Sequence, residues 1–303
     1  MKRDFTKLLD IKNEECLYLL ERAKEFKKMR KHGTVHEPLK GRHLAMIFEK
    51  SSTRTRVSFE IGINDLGGRA VLLNKGDTQI GRGEPVRDTA RVLSRYVDAI
   101  MIRTYGQDVV EELAKWATIP VINGLTDIYH PTQVLSDLFT IWEIKGDLRE
   151  LKIAYIGDGN NMANSWIEAC ILLDLNLTMA TPKGYEPLPH LSSLAEKKNN
   201  FKLFHDPFEA IKDADVINTD VWVSMGQEGE ESERRQVFSS FKIDRELLKS
   251  ARDDAIILHC LPAHRGEEIT DEVFEDFQNV IFTQAENRLH AQKALLEWLI
   301  LNR

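Results

Sequence analysis

The 303-residue chain is predicted to be an α/β protein of two parallel-sheet units joined by a helix. Three observations predict this. Short apolar runs rich in strand-forming residues alternate with longer segments of helical period. The alternation is interrupted once, by a long amphipathic segment, and then restarts. Unusual polar residues fall where the apolar runs end. A division into about two domains also suits the length, at roughly 100 to 200 residues per domain.

In order, the first series is LAMIFE (44–49) followed by TRVSFEIGINDLG, AVLLN (70–74) by PVRDTARVLSRY, DAIMIR (98–103) by DVVEELAKWA, and then IPVINGL (119–125). Runs that are apolar throughout, rather than at alternate positions, suit strands of a parallel sheet covered by helices on both faces. VLSDLFTIWEIKG (134–146) reads as the connecting helix. The second series is KIAYIGDGN (152–160), NLTMATP (176–182), FKLFHD (201–206), DVINTDVW (215–222), AIILHCLPA (255–263) and NVIFTQA (279–285), all read as strands with their exits. Between them SWIEACILLDL and FEAIKDA have helical spacing. The domains expected are 1–147 and 148–286, with NRLHAQKALLEWLILNR (287–303) a C-terminal helix packing back on the first. SMGQEGEESERRQVF (224–238) reads as a solvated loop whose Gly226 and Gly229 would also suit a lid.

Composition narrows the function classes. With 42% hydrophobic and 29% charged residues the chain can build real cores. A net charge of −7 and a pI near 5.8 argue against binding nucleic acid through bulk electrostatics, so any anion site must be local. The N-terminus lacks the apolar core of a signal peptide and no run of about 18 apolar residues occurs, so a cytoplasmic protein is expected. Cys16, Cys170 and Cys260 are far apart and form no C-x-x-C pair, which speaks against a disulfide framework or structural zinc. Cys16 and Cys170 lie in helical apolar patterns and read as packing residues.

Ligands of open α/β sheets gather beyond the carboxyl ends of the strands, and that rule sorts the candidates. SSTRTR (51–56) follows LAMIFE, Arg103 ends DAIMIR, His130 and Gln133 follow IPVINGL, GDGNN follows KIAYI, Asp220 follows DVINT, and His259 with Cys260 ends AIIL. At a helix start, SSTRTR would combine unpaired N–H groups, a positive dipole end and two arginines into a phosphate-sized anion site. A capped helix with a solvated first turn is the plainer alternative. No G-x-x-x-x-G-K-[ST] is present, so an ordinary nucleotide loop is not expected, and GDGNN lacks the G-x-G-x-x-G spacing of a dinucleotide site. Asn160 and Asn161 could present amides to a polar substrate or simply form a turn with asparagines in left-handed conformation. Taken singly, His130 could be a turn residue, Asp220 a helix cap and Cys260 a small buried side chain.

Together, FEKSSTRTRVSFE, HPTQ, GDGNN, DVWVSMG and HCLPAHRG, in this order, resemble the aspartate/ornithine carbamoyltransferase family over essentially the whole chain, on its ornithine side. The resemblance implies two Rossmann-like domains and transfer of the carbamoyl group of carbamoyl phosphate to L-ornithine, giving L-citrulline and phosphate. It implies a place in arginine metabolism, no metal or cofactor, and a homotrimer with active sites at subunit boundaries. By position, Ser52, Thr53, Arg54, Thr55, Arg103, His130, Pro131, Thr132, Gln133, Arg288 and the main chain of Cys260 and Leu261 would bind carbamoyl phosphate. Gln79 would reach that ligand from the neighbouring subunit. Asn161, Asp220, Ser224 and Met225 would hold ornithine, and Arg54, Arg103, His130, Asp220 and Cys260 would carry the chemistry. Ser51 and Arg56 have no ligand role, and Arg56 is expected to serve as an ion-pair partner.

The reaction explains these residue types. Attack of an amine builds negative charge on the carbonyl oxygen and then on departing phosphate, so fixed donors such as Arg54, Thr55, Arg103 and His130 lower the barrier. The carbamoyl NH2 needs acceptors, for which the Gln133 amide oxygen and the Cys260 and Leu261 carbonyls are candidates, with Pro262 fixing the backbone. The nucleophile must be the neutral amine; for a group of pKa about 10.4, deprotonation at pH 7 costs about 4.6 kcal/mol. Asp220 attracts the ammonium form, so desolvation on closure of the domains and nearby arginines are expected to oppose it, with Cys260 and Asp220 accepting the proton. Competing readings are another amine acceptor such as putrescine, a phosphate-sensing module without catalysis, and a nicotinamide oxidoreductase. The missing fingerprint disfavours the last.

Overall fold

A computed structural model of the protein describes residues 2–74, 83–198, 200–223 and 228–302. The chain forms two compact units, Met1–Phe139 with Glu286–Arg303, and Thr140–Ala285. Each is an α/β layer structure, in agreement with the predicted fold class.

The first unit opens with α1 (Asn13–Lys31), then β1 (His43–Phe48), α2 (Thr53–Asp65), β2 (Arg69–Asn74), α3 (Val86–Leu93), β3 (Ala99–Arg103), α4 (Gln107–Trp116), β4 (Val121–Leu125) and the first part of α5 (Pro131–Lys145), whose remainder from Thr140 belongs to the second unit. The strands form a parallel sheet in the order β2-β1-β3-β4. Ala45, Ile47, Ile100, Ile102 and Val121 pack with Ala90 of α3 and Val110 and Leu113 of α4 on one face. The intervening Leu44, Met46, Ala99 and Met101 are buried as well, which is why these strands read as continuous apolar runs. At the β4 edge, Phe5 donates its N–H to the Val121 carbonyl and accepts from the Asn123 N–H, both at 2.8 Å. This covers an otherwise open ladder.

The second unit contains β5 (Lys152–Ile156), α6 (Asn161–Leu173), β6 (Asn176–Ala180), α7 (Pro189–Glu196), β7 (Phe201–Phe204), α8 (Pro207–Ile211), β8 (Val216–Thr219), α9 (Glu231–Val237), α10 (Arg245–Leu248) and β9 (Ile256–His259). All pairings are parallel, in the order β7-β6-β5-β8-β9. Ala154, Ile156, Ile217 and Ile257 build its core with Trp222, Phe238, Phe241 and Phe274. The final helix, α11, runs Asp271–Leu301.

Two sequence readings need correction. NVIFTQA is not a strand: residues 279–285 lie inside α11. Val273, Phe274, Phe277 and Ile281 recur at helical spacing on the core side, and no glycine or proline interrupts the chain after Gly266. The stretch 224–238 is not a solvated loop throughout, since a 3-10 turn at Glu228–Glu230 leads into α9, which buries Arg234. Ser224, Met225 and Gly226, like Gln79, lie outside the described residues.

Candidate active site

In the first unit the carboxyl ends of β1, β3 and β4 bring four sequence-predicted residues together. Ser52 is the N-cap of α2, and its hydroxyl accepts the Thr55 N–H at 3.2 Å. The plain capped-helix reading of SSTRTR is therefore correct for Ser52, without removing the anion-site reading from its neighbours. Thr53 and Arg56 face outward, and Arg56 sits 3.5 Å from Glu60 one turn on, the ion pair expected of it. Thr55 is fully buried, and its hydroxyl oxygen accepts from Arg288 at 2.8 Å and from Arg103 at 3.4 Å. Arg288 comes from α11, more than two hundred positions away, which sequence spacing alone does not reveal.

His130 closes the loop after β4 and is 5% exposed. Burial, then the Arg288, Arg103 and Arg54 guanidiniums, hold its pKa well below the ordinary histidine value. It is a neutral imidazole among three permanent cations at pH 7. Pro131 opens α5 behind it, where a missing N–H costs nothing. Thr132 and Gln133 are buried in the first turn of that helix.

Gln133 donates its amide NH2 to Asp137 at 2.8 Å, and its amide oxygen is buried with no hydrogen-bond partner among the described residues. Asp137 thus fixes which end of the amide is left for a ligand: the acceptor end. Asp137 was not among the sequence candidates. The signal was available, because Gln133 and Asp137 are four apart on a helix and so face each other.

The second unit supplies a different polar cluster. In GDGNN, Gly157 has φ 144°, and a side chain on Gly159 would meet the Glu186–Pro187 backbone at 2.3–2.4 Å. Both glycines serve backbone geometry. Asn160 caps α6, its side-chain oxygen accepting the Met162 and Ala163 N–H groups, while its NH2 donates to Asp220 at 3.1 Å. Asn161 is the first residue of that helix and is partly exposed. Neither asparagine has the left-handed backbone of the turn reading.

Asp220 follows β8 and accepts from its neighbour's Val221 N–H at 2.8 Å and from the Cys260 thiol at 2.9 Å. Described residues after it, as far as Val223, contain no helix for it to cap. Cys260 is partly exposed, so it is not the inert buried thiol of the plainer reading. Leu261 has φ 60°, an uncommon left-handed value for a branched residue. Its N–H is held at 2.9 Å by His259 Nδ1, and His259 Nε2 donates to the fully buried Glu268 at 3.0 Å. His259, placed at a strand exit by the sequence, and Glu268, which sequence reading did not single out, form a clamp on the Cys260–Leu261 backbone.

Behind Asp220 lies an ion pair that sequence reading also missed. Arg234, 3% exposed, binds the Asp158 carboxylate and donates to the Trp222 carbonyl at 2.7 Å. Its guanidinium lies 4.9 Å from the Tyr185 ring centre and 5.4 Å from that of Phe238. Burial pushes Asp158 up to about 6 despite that cation.

Fold and clusters define an α/β protein that gathers guanidiniums and a neutral imidazole at the strand ends of one unit and presents a carboxylate–thiol pair at those of the other. Residues 3–143 match the family model described as aspartate/ornithine carbamoyltransferase, carbamoyl-P binding domain, and residues 149–299 the model for the Asp/Orn binding domain of the same proteins. The chain belongs to the aspartate/ornithine carbamoyltransferase family. It is 52% identical over 302 residues to the ornithine carbamoyltransferase of Syntrophus aciditrophicus, covering 99% of this chain and 100% of that one. Its structure is similar to ornithine carbamoyltransferase from Pyrococcus furiosus, with TM-score 0.93, 53% identity, and 97% and 96% of the two chains covered. Anabolic ornithine carbamoyltransferase from Campylobacter jejuni is similar at TM-score 0.93 and 44% identity, with 99% and 100% covered.

Proposed function

We propose that the protein transfers the carbamoyl group of carbamoyl phosphate to the side-chain amine of L-ornithine, giving L-citrulline and phosphate. The observation that carries this reading is the buried cluster of Thr55, Arg103, Arg288 and neutral His130, with the Gln133 amide oxygen locked as an acceptor. Full-length likeness to ornithine carbamoyltransferases chooses the acceptor amine. Two of these relatives carry the word anabolic, which supports a role in making arginine. The test is colorimetric detection of citrulline from carbamoyl phosphate and ornithine, with putrescine as the competing acceptor; product from putrescine alone would overturn the ornithine assignment.

The first unit's residues do the electrostatic work. Ser52 to Thr55, with Arg103, Arg288 and His130, hold the acyl phosphate, and Arg54, Thr55, Arg103 and His130 face the oxygens on which charge grows. Pro131 and Thr132 set the α5 terminus against the ligand. The Gln133 oxygen accepts from the carbamoyl NH2, as do the Cys260 and Leu261 carbonyls that the His259–Glu268 clamp presents. In the second unit Asn161, Asp220, Ser224 and Met225 hold ornithine. Gln79 completes the carbamoyl phosphate site from a neighbouring subunit of a homotrimer. Residues 1–147 would form the carbamoyl-phosphate domain and 148–286 the ornithine domain, with 287–303, the end of α11, packing back on the first, and the protein works in the cytoplasm without a metal or cofactor.

Proton removal is assigned to the Cys260–Asp220 pair. Cys260→Ser is expected to lower kcat/KM for ornithine about 100-fold, the lower end of the usual range for losing a group that assists proton transfer. It should also displace the inflection of its pH profile. A variant profile superimposable on the parent's would take the thiol out of proton transfer and leave it a packing role.

A further inference from the structure

His130 has no rigid element of its own, since it occupies the last position of a loop between β4 and α5. A buried hydroxyl ties the turn of that loop together. Thr126, fully buried, accepts the Tyr129 N–H at 3.1 Å and the Ile128 N–H at 3.3 Å on Oγ1. Its own N–H donates to the Tyr129 carbonyl at 2.9 Å, so the turn closes on itself one residue before His130.

The hydroxyl hydrogen is used as well. Thr126 Oγ1 donates to Gln107 Oε1 at 2.9 Å, and the same oxygen accepts from Asn123 Nδ2 at 3.2 Å. Asn123 is in turn held by the Thr6 carbonyl at 2.9 Å. Gln107 begins α4, so the loop is tied to a helix terminus on one side and to β4 on the other. Both lone pairs and the proton of Thr126 Oγ1 are thereby spent, which leaves the loop one arrangement in this environment.

We propose that Thr126, backed by Gln107, is a positioning residue for the carbamoyl-transfer site: it sets the place of His130 among the arginines. The proposal rests on His130 being a ligand group, as read above. Thr126 touches no reacting atom. Its effect is exerted through the backbone of residues 128–130, and a displacement of about 1 Å in a reacting constellation can cost about 100-fold in rate.

Thr126→Val keeps the shape and removes the hydrogen bonds of Oγ1, to Gln107 and from Ile128 and Tyr129, while leaving the backbone bond of the turn; Thr126→Ser keeps the hydroxyl. Carbamoyl phosphate affinity by calorimetry and kcat by citrulline formation should separate them. Expected for Thr126→Val is a Kd about 10-fold higher and kcat about 30-fold lower, within the range that misplacement produces. Thr126→Ser should be restored to within about threefold on both readouts, since a hydroxyl in the same place can make the same bonds. Parent-like values for Thr126→Val, or equal impairment of Thr126→Ser, would overturn the proposal. If circular dichroism shows Thr126→Val unfolded, Gln107→Met decides, because it removes the backing acceptor and leaves the turn; parent-like values there overturn it too. His130→Asn is run beside them. Parent-like His130→Asn sinks the reading of His130 itself, whereas an impaired His130→Asn with a parent-like Thr126→Val sinks the positioning role alone.

Discussion

Arg103→Ala is expected to lower kcat by about 10³-fold, equivalent to about 4 kcal/mol of transition-state stabilisation, the upper range for deleting one preorganised donor. Arg103 ends β3, is 8% exposed, and reaches the Thr55 hydroxyl that Arg288 also holds. Its charge should matter more as phosphate departs than in the bound substrate, so kcat and kcat/KM should fall together. Steady-state kinetics would measure this, and a kcat within about threefold of the parent, far below the usual cost of such a donor, would remove Arg103 from the chemistry.

The same variant has a second readout through His130. Unfolded histidine takes up a proton below about pH 6.5, whereas folded His130, held below that value, refuses it. Between the two pKa values the unfolded state therefore binds more protons, so this group makes stability fall as pH is lowered beneath about 6.5. Without Arg103 one of the depressing charges is gone and burial remains. The pH dependence of urea denaturation should become shallower in Arg103→Ala and shallower still in His130→Asn.

Arg234→Met is expected to destabilise the protein by about 3 kcal/mol, the lower end for removing one partner of a buried ion pair. Asp158 would then keep a buried carboxylate without its cation, and its pKa would climb beyond about 6. Arg234 also anchors the Trp222 carbonyl two residues after Asp220, so kcat/KM for ornithine should fall in parallel. Asp158→Asn in the Arg234→Met background removes the stranded charge and should recover part of the stability. A double-mutant cycle by thermal denaturation would measure the coupling, and additive losses would show that the pair is not one unit.

Most of the fold was legible because its strands are buried on both faces and stand as unbroken apolar runs bounded by helical segments. The exception, NVIFTQA, shows the limit of that signal: three apolar residues fit either period, and only the lack of a breaker on both sides decides for helix. The site was legible where residue type and strand exit coincide, as for Arg103, His130 and Asp220. Arg234 was not, since its sequence neighbours are charged and mostly exposed and its partner Asp158 lies 76 positions away. Burial of an arginine is a tertiary property, and nothing local announces it. Glu268 hid for the same reason, a carboxylate in the charged run HRGEE whose burial depends on His259.

The Thr55 hydroxyl, met above as a shared acceptor for two guanidiniums, has a consequence for selectivity. A hydroxyl ordinarily gives and takes, but here both acceptor directions are occupied by Arg103 and Arg288. Only its hydrogen is left to offer. Such a group is a one-way valve for hydrogen bonding: it welcomes a bare oxygen and has no lone pair for a protonated one. With a second phosphate pKa of about 6, the site would prefer the dianion over the monoanion, and affinity for carbamoyl phosphate should weaken as acidification protonates the ligand rather than the protein.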